Sequence, residues 1–260
     1  MVQIERVELV VGDLDAARRF YVEALGFAAS GIGRESAVER ATLRLGTTRL
    51  DLLAGHSPGA AYPKPRAAND PWFQHFAVAV SDMAAAYAQL SKFPHEPIST
   101  GGPQLLPPST GSVTAYKFRD PDGHPLELSF NPAAEITAAG LFTGIDHSAV
   151  AVADLEASVA FYTGLGFHVA ARLVNTGPEQ DRLDGLPGVV LDIVVLTGEA
   201  GPHLELLHYR SPVATSAAIV ASEDVAATRL VLSGPAGAGG RRDPDGHRIE
   251  LMPARRVMPG

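Results

Sequence analysis

The chain contains no cysteine, which excludes disulfides, thiolate nucleophiles, Cys-ligated zinc and iron–sulfur clusters. It has no clustered run of Lys and Arg, and its formal net charge is −8. Phosphate backbones are bound by clustered cations, so nucleic acid is not an expected partner, and an anionic membrane surface is disfavoured for the same reason. No apolar run approaches the roughly 18 residues that a membrane helix needs. The first residues, MVQIERVELVVGDLD, place Glu5, Arg6 and Glu8 where a signal peptide would have its apolar core. These features together predict a cytoplasmic protein. What the chain does have is 260 residues and 46% hydrophobic content, enough for two packed domains of ordinary size.

The chain also repeats itself. Val11-Gly-Asp-Leu-Asp-Ala-Ala-Arg-Arg-Phe-Tyr21, followed by Leu25-Gly-Phe27, returns as Val152-Ala-Asp-Leu-Glu-Ala-Ser-Val-Ala-Phe-Tyr162, followed by Leu165-Gly-Phe167. Arg119-Asp-Pro-Asp-Gly-His-Pro-Leu-Glu-Leu128 returns as Arg242-Asp-Pro-Asp-Gly-His-Arg-Ile-Glu-Leu251, identical at eight of ten positions. A finer repeat sits inside each half, because Val78 to Leu90 and Val220 to Leu232 share the strand–Asp–helix look of Val10 to Phe20. Four units therefore start near Ile4, Phe73, Gly144 and Thr215.

Within a unit, Val7, Leu9 and Val11 alternate as a strand does, Asp13 suits a helix N-cap, and the helix ends near Gly26. Asp122-Gly123 and Asp245-Gly246 mark tight turns into a last strand. Each unit reads β-α-β-β-β. The expected fold is α+β, with four such modules paired into two tandem domains, residues 1–132 and 141–256, having open cup-shaped mixed sheets. Pro132–Gly140 would be the boundary and Ala54–Asp70 the crossover inside the first half.

The strand–Asp–helix unit with FYxxxLGF, closed by DPDGHxxEL, resembles the vicinal oxygen chelate superfamily. That group holds glyoxalase I, methylmalonyl-CoA epimerase, fosfomycin-modifying enzymes, extradiol dioxygenases and bleomycin-binding proteins. The resemblance spans nearly the whole chain and speaks to fold more than to reaction. It implies metal ligands on the first and last strands of each module, four positions per cup. The first-strand position lies seven residues before the capping Asp, which gives Arg6, His75, His147 and Ala217. The last-strand position is the acid of the closing motif, which gives Asp51, Glu127, Glu205 and Glu250. Alternation adds an argument of its own. Glu127, Glu205 and Glu250 each stand between two apolar residues, so each acid points away from the face its neighbours bury.

Pairing neighbouring modules puts Arg6, Asp51, His75 and Glu127 in a first cup and His147, Glu205, Ala217 and Glu250 in a second. The implied cofactor is a divalent ion such as iron, zinc, manganese or nickel. Arg6 would neutralise the acids of the first cup and repel a metal, whereas Ala217 would leave a coordination position open. The second cup, through His147, Glu205 and Glu250, is therefore the favoured metal site, and His75, Asp51 and Glu127 are the second choice. Glu250, Glu205, His75 and Arg6 are the candidate catalytic groups. His124 and His247 read as parts of the Asp-Gly turns.

The fourth module is short. Asp224 to Asp243 is 19 residues, against 38 from Asp82 to Asp120. The third is long, with a polar, glycine-rich surplus around Val174–Gly188 that would form a lid or loop. Three functions fit: a metal-dependent isomerase, lyase or ring-cleaving enzyme on a small oxygenated metabolite; a metal-free protein sequestering an antibiotic or other small molecule; or a metal-free cyclase or isomerase. In each the partner is a small molecule and the chain is a monomer or homodimer.

Overall fold

The structure is a computed structural model that describes residues 2–35, 37–55, 59–134, 139–214, 221, 224–234 and 237–253. Module one runs β1 (Gln3–Val10), α1 (Leu14–Leu25), β2 (Ala28–Glu35), β3 (Val38–Leu45) and β4 (Thr48–Ala54). Module two runs β5 (Gln74–Val80), α2 (Met83–Leu90), the short β6 (Glu96–Pro97) and β7 (Gln104–Leu105), then β8 (Thr114–Arg119) and β9 (Pro125–Phe130). Module three runs β10 (Phe142–Ala151), α3 (Leu155–Gly164), β11 (His168–Thr176), α4 (Pro178–Asp184), β12 (Val190–Thr197) and β13 (His203–Ser211). Module four retains β14 (Arg229–Gly234), β15 (Gly239–Arg242) and β16 (Arg248–Pro253). No described helix is long and apolar enough to cross a membrane.

The helices start where an aspartate can accept a free backbone N–H. The side chains of Asp13, Asp82 and Asp154 accept from Ala16, Ala85 and Ala157 N at 2.9, 2.9 and 3.0 Å. α1 stops at Gly26, whose φ of 70° is a left-handed conformation that glycine adopts without strain.

The molecule is α+β with two open, mixed sheets. Each half of the chain supplies two modules, but the two modules of one half do not share a sheet. The seven-stranded sheet, ordered β15-β16-β14-β1-β4-β3-β2, joins modules four and one. The nine-stranded sheet runs β11-β12-β13-β10-β5-β9-β8-β6 and joins modules two and three, with β7 pairing on β8. At each centre two first strands meet antiparallel, β1 with β14 and β10 with β5. Each first strand also runs parallel to the last strand of its own module. The cups expected from neighbouring modules are therefore recomposed.

Modules one and two, and likewise three and four, are held together by the DPDGH turns. Asp120 is buried. Its Oδ1 accepts from Gly123 N and His124 N, both at 2.8 Å, and its Oδ2 accepts from the Tyr21 hydroxyl at 2.7 Å. His124 Nε2 donates to Val10 O at 3.0 Å, and its Nδ1 is hydrogen-bonded with the Tyr62 hydroxyl at 3.0 Å. The second copy repeats the device. The Tyr162 hydroxyl donates to Asp243 Oδ2 at 2.9 Å and His247 Nε2 to Ala151 O at 2.8 Å. The histidines of the motif thus serve the turn and tie one module to the next. Tyr21→Phe or Tyr162→Phe, which strips a donor from a buried carboxylate, is expected to cost about 1–3 kcal/mol. Urea unfolding of each variant measures it.

Module four departs from the expected pattern in kind as well as length. Val225 to Leu232 reads as a helix behind Asp224, yet Arg229–Gly234 is strand β14 and Asp224 instead accepts from Ala60 N and Ala221 N, at 2.8 and 2.7 Å. Only four residues separate β14 from β15, too few for the helix of the other modules. Leu230, Val231 and Leu232 are each at most 1% exposed. A short apolar run buried on both sides carries no periodicity that distinguishes strand from helix. Ala217, expected on the first strand of this module, lies outside the described residues.

Candidate functional site

The nine-stranded cup gathers its chemistry at the junction of its two modules. β5 brings His75, β9 Glu127, β10 His147 and β13 Glu205. On β9 and β13 the flanking Leu126, Leu128, Leu204 and Leu206 join the core under the helices, so both acids turn into the cup. Ala77 and Ala149 stand opposite the two histidines in the ladder and take little space. His75 Nε2 lies 3.5 Å from Glu127 Oε2, and His147 Nε2 lies 3.8 Å from Glu205 Oε2. The two imidazole centroids are 5.5 Å apart. One donor atom each from His75, Glu127 and His147 lies within 4.8 Å of the others.

Outer contacts hold these groups. Asp146 Oδ2 is 2.9 Å from His147 Nδ1, which leaves Nε2 to face the cup, and His203 Nε2 is 3.2 Å from Glu205 Oε1. A ring nitrogen held by a carboxylate fixes which nitrogen is presented to a ligand. Lys117 Nζ is 4.0 Å from Glu127 Oε2 and 2.6 Å from Asp184 Oδ1. Burial by itself disfavours a charged ring, but Glu205 and Asp146 outweigh it and push His147 up to about 10. Burial, reinforced by Lys117 and His147, drives His75 well down. Burial also raises Glu127, with only partial relief from Lys117 and His147. At Glu205 the same burial is overcome by His147 and His203, and the carboxyl is lowered. Burial acts on all four groups, and the carboxylates from two modules that converge there favour positive charge at His147, whereas His75, beside Lys117 and His147, is held neutral.

The donor set suits a divalent cation. Two imidazole nitrogens and two carboxylates match the preferences of zinc, iron, nickel or manganese, and two glutamates balance the charge of one such ion. Both ring nitrogens of His75 are buried without a hydrogen-bond partner among the described residues. A buried imidazole in that condition is costly unless something other than protein receives its lone pair. The four side chains open into a cavity of about 230 Å³ whose remaining lining includes Lys117, Asn131, Asn175, Gln180, Leu191 and Ile193.

The seven-stranded cup is built differently at the corresponding register. Arg6 and Asp51 stand where His147 and Glu205 stand in the other sheet. Arg229 pairs with Glu8 as His75 pairs with Ala149, and Glu250 matches Glu127. Two guanidiniums thus replace two imidazoles. Asp51 is fully buried and lies 2.5, 2.7 and 3.2 Å from Arg40, Arg49 and Arg6. Glu8 contacts Arg6, Arg40 and Arg229 at 2.9, 3.1 and 3.5 Å. Guanidiniums are permanently charged and satisfy carboxylates in pairs, so this cup neutralises its acids internally.

The expected sites are redistributed accordingly. His75 and Glu127, placed by sequence with Arg6 and Asp51, join His147 and Glu205. Glu250, expected beside His147 and Glu205, lies on β16 in the other sheet, and Asp51 is held by arginines. Arg6 does pair with the acids of its cup. Arg229 was not among the candidates, because the repeat places a helix at that point. The shortness of the fourth module is the signal, since among the described residues it lacks the helix and one strand.

The profile of the Glyoxalase/Bleomycin resistance protein/Dioxygenase superfamily matches residues 3–128 and 144–233. No curated protein matches the chain in sequence. Among solved structures, a single-residue variant of glyoxalase I from Zea mays superposes with a TM-score of 0.69 at 18% identity, covering 97% of this chain and 92% of that one. Unaltered Zea mays glyoxalase I gives 0.66 at 17% identity, with 97% and 92% covered. At these identities the likeness is one of fold.

Proposed function

The chain belongs to the Glyoxalase/Bleomycin resistance protein/Dioxygenase superfamily, and from that membership and the nine-stranded cup we propose that it is a metal-dependent enzyme acting on a small oxygenated metabolite by isomerase, lyase or ring-cleaving chemistry. The observation that supports this reading is the convergence of His75, Glu127 and His147 donor atoms within 4.8 Å, with Glu205 alongside.

His75, Glu127, His147 and Glu205 would hold the ion. When bound, a divalent cation supplies Lewis acidity toward vicinal oxygens of a substrate. The protein supplies the rest. Asp146 and His203 orient His147 and Glu205. The two glutamates come from different modules and enter from opposite sides of the β5–β10 seam, so one can remain a ligand while the other takes or returns a proton at a substrate carbon. Asn131, Asn175 and Gln180 offer neutral hydrogen bonds, and the leucines of the wall limit water.

Elemental analysis of the purified chain tests the proposal. About one divalent ion per chain is expected, together with turnover of a small vicinal-oxygen compound that stops on chelation and returns with the ion. Tight binding of a small molecule with neither metal nor turnover would overturn it in favour of a sequestering protein.

A further inference from the structure

The surplus of module three is helix α4, and it lands on module two. Thr100 N donates to Arg182 O and the Ser99 hydroxyl to Leu183 O, both at 2.8 Å. Arg182 Nε donates to Gln104 Oε1 at 2.7 Å. Beyond α4, Gly185, with φ of 63°, passes so close that a Cβ there would stand 2.5 Å from Ile98 O. The helix therefore closes one wall of the nine-stranded cup with bonds from both modules that build it.

Under α4 runs a chain of buried polar side chains. Asn175 Nδ2 donates to Gln180 Oε1 at 3.0 Å, Gln180 Nε2 to Asp184 Oδ2 at 2.7 Å, and Lys117 Nζ to Asp184 Oδ1 at 2.6 Å. Lys117 and Asp184 are 3% and 2% exposed. An ammonium carries three hydrogens. Asp184 takes one, and Glu127 at 4.0 Å is beyond hydrogen-bond reach. No other hydrogen bond to Nζ forms among the described residues. Lys117 is also the sole Lys or Arg lining the cavity among those residues. A buried cation with unused hydrogens, facing a cavity, is matched best by an ionised oxygen acceptor.

We propose that the cup selects a short aliphatic 2-oxo or 2-hydroxy acid, with Lys117 receiving the carboxylate and the chain lying along Leu106, Leu173, Leu191 and Ile193. The assignment of the vicinal oxygens rests on the metal-centre reading above; the assignment of the carboxylate rests on Lys117. Asp184 offsets Lys117, and a dication would offset Glu127 and Glu205, so a monoanion meets no net repulsion. The cavity of about 230 Å³ limits the length of the chain, being smaller than the roughly 300 Å³ at which drug-sized pockets begin.

Calorimetric titration with 2-oxobutanoate, its methyl ester and 2-oxodecanoate tests this, on metal-loaded and on chelator-treated protein. The unaltered chain should bind the acid at least about tenfold more tightly than the ester, since a charged hydrogen bond is lost with the ester. It should bind 2-oxodecanoate more weakly than 2-oxobutanoate by a similar factor, and Leu183→Ala should narrow that gap. A Lys117→Met, Asp184→Asn double variant, which strands no charge, should bind acid and ester alike. Circular dichroism establishes that it is folded, and the acid–ester comparison on the unaltered chain stands without it. Equal binding of acid and ester by the unaltered chain, or an acid preference that survives in the double variant, overturns the proposal. A chain that takes up no metal yet prefers the acid through Lys117 overturns the metal reading alone. A metalloprotein indifferent to the carboxylate overturns this proposal and leaves the metal reading standing.

Discussion

A His75→Ala, His147→Ala double variant is expected to purify with under about a tenth of the metal of the unaltered chain, because two of four ligands, one from each module, are lost together. Glu250→Ala should leave the metal content unchanged. Glu250 lies on β16, in the sheet of modules one and four, whereas His147 and Glu205 lie in the other sheet. The contrast separates two arrangements of the same candidates. If modules one and two formed one cup and modules three and four the other, Glu250 would matter and His75 would not act with His147. Metal content per folded chain reads the difference directly.

Asp51→Ala is expected to leave the metal content intact and to destabilise the fold by about 3–5 kcal/mol, the range for removing one partner of a buried charge network. Asp51 is fully buried and is reached by Arg6, Arg40 and Arg49. Its loss leaves these guanidiniums facing one another, with Glu8 as the remaining partner of Arg6 and Arg40 in the centre of the sheet. Their partial exposure to water places the cost toward the lower end. The same network gives a pH dependence. Burial alone would raise the Asp51 carboxyl, but hydrogen bonds from Arg49 and Arg40 outweigh it and hold it below the usual carboxylate value. The stabilisation is therefore complete above the ordinary carboxylate pKa and is lost as the pH falls through the lowered one. Chemical denaturation between neutral pH and strong acid should show this loss in the unaltered chain, with a flatter profile in the variant.

Much of the scaffold is legible in the sequence because its determinants are local. Asp13, Asp82 and Asp154 cap helices with their own side chains, so the cap is visible three residues from its donor. Glu127 and Glu205 betray their orientation through the leucines on either side. What joins the modules is not local. A strand inventory does not say which first strands will meet, and β1 could pair across either half by its pattern alone. The Tyr21–Asp120 bond spans 99 residues and its copy, Tyr162–Asp243, spans 81, so the repeats show that these residues recur without showing that they touch.

The same distinction explains the site. Residue types at the ligand positions of modules one, two and three follow from spacing to a capping aspartate. That spacing fails in module four, where no helix forms among the described residues and Arg229 takes the first-strand place. The surplus around Val174–Gly188 is visible as length. Its landing on Ser99, Thr100 and Gln104 depends on modules two and three sharing a sheet, which only the assembled molecule shows.

The claim on which the account turns is that modules two and three jointly hold one metal ion. Crystals grown with zinc or nickel and measured at the metal's absorption edge locate it by anomalous scattering. The account predicts a single strong peak enclosed by His75, Glu127, His147 and Glu205. A peak beside Glu250 or Asp51 instead, or none within the nine-stranded cup at full zinc or nickel supply, would contradict it.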